Sequence, residues 1–232
     1  MESNETVDRA DAEASAEVVD VVPAPVPAAT VDRLPSYLRA LHQLVAAGVE
    51  RTSSVELAEL SGVGSAQLRK DLSFLGSFGT RGVGYDVGSL TDSITRRLGL
   101  ETEHKVAIVG IGSLGQALAN YRGYASRGFQ LVALFDTAAD VVGTTAGGLV
   151  VEHADDLAAV RERTGFTMVL LATPAPGAQE AVDRVVAAGV RSVLSFAPIA
   201  LQVPEEVDVR AVDVGSELQI LAFHSQAREL RP

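Results

Sequence analysis

The chain has no cysteine and no tryptophan, and only two of its 232 residues are lysines, Lys70 and Lys105. Without thiols there are no disulfides, no thiolate metal sites and no thiol redox chemistry, so any response to redox state must come through a bound ligand. None of Tyr37, Tyr85, Tyr121 and Tyr124 has a lysine four residues on, which removes one familiar proton donor of nicotinamide-dependent enzymes. The histidines His42, His104, His153 and His224 fall on separate segments without metal-type spacing. No catalytic residue and no metal ligand is therefore assigned. No apolar run approaches the ~18 residues of a membrane span, and no basic-then-apolar leader opens the chain. The expectation is a cytoplasmic protein with no membrane partner.

Positive charge is scarce overall, with a net charge of −11, but the acids are unevenly placed. Residues 1–30 carry Glu2, Glu5, Asp8, Asp11, Glu13, Glu17 and Asp20 against Arg9 alone, so the global charge says little about the folded part. This stretch is alanine-rich, proline-punctuated and without an apolar period, and reads as a disordered tail over 1–30.

The rest is organised around Val106-Ala-Ile-Val-Gly110-Ile-Gly112-Ser-Leu-Gly115. A β-branched run ends in Gly-x-Gly-x-x-Gly and passes into a helix pattern, the order that a dinucleotide pyrophosphate needs. Gly110 permits the tight turn, Gly112 lets the backbone approach the phosphates, and Gly115 lets helix and strand pack closely. A second strand, Gln130–Asp136, ends in an acid placed to meet a ribose. Further β/α alternation follows, with near-continuous apolar strands at Phe166–Ala172, Arg191–Phe196 and Val207–Val212. That pattern predicts a parallel sheet covered on both faces. Ligands in such sheets sit at the carboxyl ends of strands, which assembles Gly110, Ile111, Gly112, Ser113, Leu114, Gly115, Asp136, Thr173, Pro174, Phe196 and Ala197 into one expected cofactor crevice.

Before this loop, a helix from Leu34 carries Leu38, Leu41, Leu44 and Val45 as one stripe, and Gly48 stops it. Ser53-Ser-Val-Glu56 reads as a capping box for a second helix, and Ser65 as the cap of a third. Ala58-x-x-x-Gly62 supplies the small contact residue and sharp turn of a helix-turn-helix. On the third helix Leu68, Leu72 and Leu75 face inward and leave Gln67, Arg69, Lys70 and Ser73 outside, suited with Ser65 to base edges and phosphates. Gly76–Val87 holds four glycines around Arg81 and reads as a β-hairpin wing, with Arg81 and Gly82 at a tip that reaches a minor groove. The expected domains are a winged helix over 31–88, a linker helix over 89–103, a dinucleotide-binding domain over 104–212 and a terminal helix over 213–232. Leu218, Leu221, Ala222 and Phe223 give that last helix an apolar surface, for which docking on a second subunit is the expectation.

Several of these blocks closely resemble the Rex redox-sensing transcriptional repressors: Arg33–Arg39, Thr52–Glu59, Ala66–Phe74, Gly76–Val87, Val109–Leu118 and Leu194–Ile199. The likeness runs over about residues 33–226. It implies a homodimer of winged-helix and Rossmann-like, doubly wound subunits with a domain-swapped C-terminal helix. Such a dimer binds an inverted-repeat operator; NADH releases it and NAD+ competes. The resemblance also implies a polar switch joining Arg39, Tyr121 and Asp213. Val214 stands where the family carries an aromatic next to that aspartate, and Ser113 replaces a commoner asparagine or arginine.

A ligand shifts an equilibrium only through differential affinity for its two states. The two cofactor forms share pyrophosphate and riboses, so discrimination belongs at the nicotinamide, near Thr173–Ala175, Phe196–Pro198 and the partner's Asp213–Val214. Two rival readings are a nicotinamide-dependent oxidoreductase fused to a helix-turn-helix, and a coenzyme A or nucleotide-binding interaction module.

Overall fold

The structure, a computed structural model, describes residues 26–76, 78–80 and 84–229, and divides after Leu98 into two units. The first contains α1 (Ala28–Val31), α2 (Leu34–Ala46), β1 (Arg51–Thr52), α3 (Ser54–Ser61), α4 (Ser65–Ser73), β2 (Gly79–Thr80), β3 (Gly84–Asp86) and α5 (Val87–Arg97). Pro35 occupies the first turn of α2, where a missing N–H costs nothing, and Leu34, Tyr37, Leu38, Leu41 and Leu44 form its buried stripe. Burying each such side chain contributes about 1.5–3 kcal/mol.

The Ser53 hydroxyl accepts from the Glu56 amide and caps α3, but the Glu56 carboxylate takes the Thr52 hydroxyl at 2.7 Å. The expected capping box is thus seen in its Ser53 limb, and the glutamate is occupied elsewhere. Gly62, with φ 71°, makes the turn into α4, where the buried Ala58 allows close approach. Ser65 is the first residue of α4, not its cap; Gly64 holds the cap position, with no side-chain bond. Strands β1, β3 and β2 pair antiparallel in that order. The expected hairpin is therefore present, joined by a short β1 that the sequence pattern does not reveal. Its expected tip, Arg81–Gly82, lies outside the described residues.

Two expected boundaries shift. The expected tail runs to residue 30, yet α1 begins at Ala28 and Thr30 is buried. The helix expected over 89–103 is present as α5, but it starts at Val87, is capped by Asp86 through the Ser89 amide at 2.9 Å, and buries Val87, Leu90 and Ile94 while packing on α2, so it does not serve as a linker. It belongs to the core of the first unit.

The second unit contains β4 (His104–Val109), α6 (Ser113–Ala119), β5 (Phe129–Asp136), β6 (Thr145–Ala146), β7 (Leu149–His153), α7 (Leu157–Thr164), β8 (Met168–Leu171), α8 (Ala175–Ala187), β9 (Ser192–Ser195), β10 (Asp208–Ala211) and α9 (Val214–Glu229). The sheet order is β10-β9-β8-β4-β5-β7-β6, parallel throughout except for β6 against β7. This is the expected doubly wound sheet. In β4 Val106, Ala107, Ile108 and Val109 are all buried because both faces are covered. Val109, Phe135, Phe166, Val169 and Leu171 form one core with residues of α7 and α8; Ile108, Ile111, Leu134 and Val151 form the other.

The chain first builds the sheet outward from β4 through β5 and β7, then returns to add β8, β9 and β10 on the other side. Strand order reverses between β4 and β8, which creates a crevice at their carboxyl ends. Among the described residues no helix is long and apolar enough to cross a membrane.

Candidate functional site

A cleft of about 470 Å³ opens at this reversal, lined among others by Gly110, Gly112, Ser113, Leu114, Asp136, Thr173 and Pro174. The three glycines differ in what surrounds them. Gly110 has φ +93°, and a Cβ there would lie 2.9 Å from the Ala172 carbonyl carbon. At Gly115 a Cβ would collide with the Gly110 carbonyl oxygen, so only glycine lets α6 sit this close to the loop. At Gly112 nothing lies within 4 Å. Two glycines serve the fold and the middle one leaves open space over the backbone, which is what an approaching pyrophosphate requires.

Asp136 ends β5 beside this loop. Its Oδ2 accepts from the Ile111 amide at 2.6 Å, and its Oδ1 accepts from the Thr137 and Ala138 amides at 2.7 and 2.9 Å. The Thr173 hydroxyl oxygen is buried and has no hydrogen-bond partner within the protein. An orphaned buried polar atom beside a cleft calls for a partner from outside the chain, an ordered water or a ligand. Arg184 and Glu180, which the sequence pattern did not single out, also line the cleft and pair at 2.9 Å.

Not every expected cofactor residue faces this space. Ile111 is buried in the core and its amide is taken by Asp136, so neither its side chain nor its N–H is offered to a ligand. Gly115 is buried and acts through packing. Ala197 is buried against the α7–α8 core, and neither Phe196 nor Ala197 lines the cleft.

In the first unit Arg69, Lys70 and Ser73 lie exposed on α4, as expected. Arg69 Nη1 donates to the Ser54 hydroxyl at 3.1 Å, and the Ser73 hydroxyl donates to the Lys70 carbonyl at 2.7 Å. Gln67 departs from its expected place: half-buried, its amide donates to Asp71 Oδ1 at 2.9 Å. Asp71 itself was overlooked. Its carboxylate also accepts from Thr30 Oγ1 at 2.9 Å, from Arg33 Nε at 2.6 Å and Nη2 at 2.8 Å, and from Tyr37 Oη at 2.6 Å. Burial works to raise Asp71, but the Arg33 bonds, with those of Tyr37, Thr30 and Gln67, outweigh it and hold the carboxyl well below the usual range. Burial, aided by the bond to Asp71, pushes Tyr37 up to about 12. Its one local trace is spacing, with Asp71 falling among Leu68, Leu72 and Leu75 at helical intervals; the partners that bury it lie more than thirty residues earlier.

Of the three expected switch residues, Arg39 lies exposed on α2. Tyr121 follows α6 without belonging to it, stacked edge-on to Tyr124 at 5.2 Å. Asp213 caps α9, accepting from the Gly215 amide at 2.9 Å and the Ser216 hydroxyl at 2.7 Å. Those two bonds, the hydroxyl's first, lower its pKa. Val214 opens the helix and is exposed. Among the described residues no group of three His, Asp or Glu side chains is disposed to hold a metal.

Comparison with known proteins gives matches to two described families, "Putative DNA-binding protein N-terminus" over residues 25–73 and "CoA binding domain" over 101–199. The redox-sensing transcriptional repressor Rex of Streptomyces griseus is 56% identical over 203 residues, covering 88% of this chain and 80% of that protein. The chain belongs to the Rex family.

Other Rex repressors extend the match: that of Desulfitobacterium hafniense is 41% identical and covers 88% of this chain and 97% of its own. Among solved structures, RSP in complex with β-NAD+ and operator DNA has a TM-score of 0.82 at 35% identity, over 89% of this chain and 95% of that one. RSP in complex with β-NADH gives 0.79 at 34%, over 88% and 96%. The coenzyme A family and the Rex family meet in chemistry: their ligands share an adenosine diphosphate half, the part a glycine loop holds. In this Rex-family chain the glycine loop follows β4, Asp136 ends β5, and Arg69 and Lys70 lie exposed on α4.

Proposed function

We propose that this chain is a homodimeric transcriptional repressor of the cytoplasm that binds an inverted-repeat operator and releases it when NADH fills the β4–β8 cleft. The observation that carries this reading is the pairing, in one Rex-family chain, of an exposed basic α4 with a cleft whose open space lies over Gly112. RSP, which shares both parts of the fold, has been solved with NAD+ and operator DNA together and with NADH.

Gly112, Ser113 and Leu114 would hold the pyrophosphate at the start of α6. Asp136 would meet the adenosine ribose and disfavour a 2′-phosphate by its charge. Thr173, with its unsatisfied hydroxyl, and Pro174 would face the nicotinamide half. The cofactor supplies a difference in ring charge and pucker between its two forms; the protein's part is to bind the two unequally. Arg39, Tyr121 and Asp213 keep the relay roles that the family resemblance assigns them, whereas Phe196 and Ala197, expected at the crevice from their place after a strand end, do not line the cleft.

Dimer formation is assigned to a domain-swapped α9, whose Leu218, Ile220, Leu221 and Phe223 are exposed in a single chain. A groove of about 810 Å³ along β4, β8 and β9, lined by Val106, Met168, Leu170 and Leu194, offers such a helix an apolar seat. The enzyme reading is not favoured, because the relatives are named repressors.

The test is anisotropy of a labelled inverted-repeat duplex titrated with the chain in NADH, in NAD+ and in neither. Operator occupancy that falls with NADH and persists in NAD+ is expected; occupancy indifferent to NADH would overturn the reading. Linkage requires the operator to weaken NADH binding by the same factor.

A further inference from the structure

We propose that Asp71 is a positioning residue for operator binding: it fixes how α4 presents Arg69 and Lys70 by locking that helix onto α2. The inference rests on the operator-binding reading above. It starts from an oddity of placement. Asp71 follows directly on the two exposed cations, yet its own side chain is only 1% exposed. A buried carboxylate close to a phosphate-binding face cannot be a DNA contact, since it would repel the backbone and is already enclosed.

Nor is burial of an ion pair an economical way to gain stability, because desolvation offsets most of the attraction and an apolar residue of similar size does as well. What the carboxylate gains over an apolar residue is direction. Leucine packing tolerates sliding and rotation, whereas two oxygens held by five donors do not. Oδ1 takes Thr30, Arg33 Nη2 and Gln67; Oδ2 takes Arg33 Nε and Tyr37.

The donors come from three elements. Thr30 is on α1, Tyr37 is on α2 with Arg33 at its N-cap, and Gln67 lies one turn earlier on α4 itself. Arg33 and Tyr37 are four residues apart, so α2 grips the carboxylate along one face. α2 also carries the exposed Arg39. The helix assigned to the redox relay is thus cross-linked to the helix assigned to the bases, and the two turn as one body.

The test compares the full-length wild type, Asp71→Asn and Tyr37→Phe on two labelled duplexes of equal length: an operator selected from a random pool by the wild type, and its scrambled version. For Asp71→Asn the expectation is a loss of roughly tenfold or more on the operator, with scrambled-duplex affinity held within about twofold. NADH affinity by calorimetry is unchanged. Tyr37→Phe, which removes one donor and keeps the Arg33 pair, narrows the same ratio by a smaller factor and carries the test if the asparagine variant does not fold. A ratio equal to wild type in the folded variants overturns the positioning role. So does equal loss on both duplexes with a fallen unfolding midpoint, which marks a structural role only. A wild type that selects no operator overturns the repressor reading first, and this inference with it.

Discussion

The Ile111 amide donates to Asp136 Oδ2 at 2.6 Å and ties the glycine loop after β4 to the tip of β5. With the Thr137 and Ala138 amides on its other oxygen, Asp136 shapes the loop, in addition to the ribose contact proposed for it. Asp136→Ala should therefore weaken NADH binding by about 1–3 kcal/mol, since it strands three amides and removes a charged acceptor. Asp136→Asn keeps the size but offers one acceptor oxygen in place of two, so it should lose less NADH affinity than alanine while narrowing the preference for NADH over NADPH. Calorimetric titration of both cofactors against both variants checks this; undiminished NADH affinity in Asp136→Ala would remove the residue from the site.

Gly112 and Gly115 are separated by one helical turn and should fail in opposite ways. A methyl at Gly115 collides with the Gly110 carbonyl oxygen, so Gly115→Ala should destabilise the second unit by about 1–3 kcal/mol through overpacking. Gly112 has φ −69° and open space, so Gly112→Ala should leave the unfolding midpoint where it is. Its methyl would stand in the path of the pyrophosphate, and NADH affinity should fall by roughly tenfold or more. Normal cofactor binding by Gly112→Ala would mean that the dinucleotide does not cross this loop.

The Asp71 network sets a pH window. Asp71 is held below its ordinary range despite burial, so its contribution is present above the ordinary carboxylate pKa of ~3.9 and is lost as pH falls further. Tyr37 is raised to about 12 by burial and by Asp71, so its contribution is present below its ordinary ~10 and is lost as pH rises through the folded value. The midpoint difference between wild type and Asp71→Asn should stay constant from roughly pH 5 to 9 and shrink below about pH 4. Scanning calorimetry on the full chain reads it. A difference that changes near neutral pH would show that some other group titrates there.

Arg69 and Lys70 should each weaken operator binding by about 1–3 kcal/mol when replaced by alanine, with NADH affinity unchanged. A residue that meets phosphate should also lower the salt slope by ~1, while one that reads a base should relax sequence preference at one position. Arg69 already leans on the Ser54 hydroxyl at 3.1 Å, so Ser54→Ala gives a milder version of the same loss if that bond aims it. Full operator affinity in both alanine variants would exclude α4 as the reading helix.

Much of this was legible because the period of burial matches the period of the element. In β4 four consecutive apolar residues announce a strand covered on both faces, and the glycines after it announce the turn. What escaped depends on contacts distant in sequence. Asp71 looks like a surface acid until Arg33 and Tyr37, more than thirty residues earlier, fold onto it. Ala197 looked like part of the crevice because it follows a strand end, but its side chain turns into the α7–α8 core. β1 and β6 are two residues each, too short for any period to show. The β6–β7 hairpin did leave a trace: Gly147 and Gly148, at φ 56° and 83°, form the kind of two-glycine turn that joins adjacent strands.

The last prediction concerns α9. Leu218 and Leu221 lie on one side of it and Phe223 on another, at 60%, 61% and 67% exposure. A helix with apolar residues spread round it is at home when enclosed, not when lying on a single surface. Leu218→Asp with Leu221→Asp should therefore leave each chain folded and abolish the dimer, read by sedimentation velocity. The wild-type unfolding midpoint should rise with protein concentration and the variant's should not. An inverted repeat offers two half-sites, and linking them multiplies affinity by ~10²–10⁴ without any new contact, so the monomer should lose at least about a hundredfold on the operator. Its affinity for an isolated half-site should match that of a wild-type protomer. A dimer that survives both aspartates would place the subunit contact elsewhere, and α9 would then need another partner for its apolar surface.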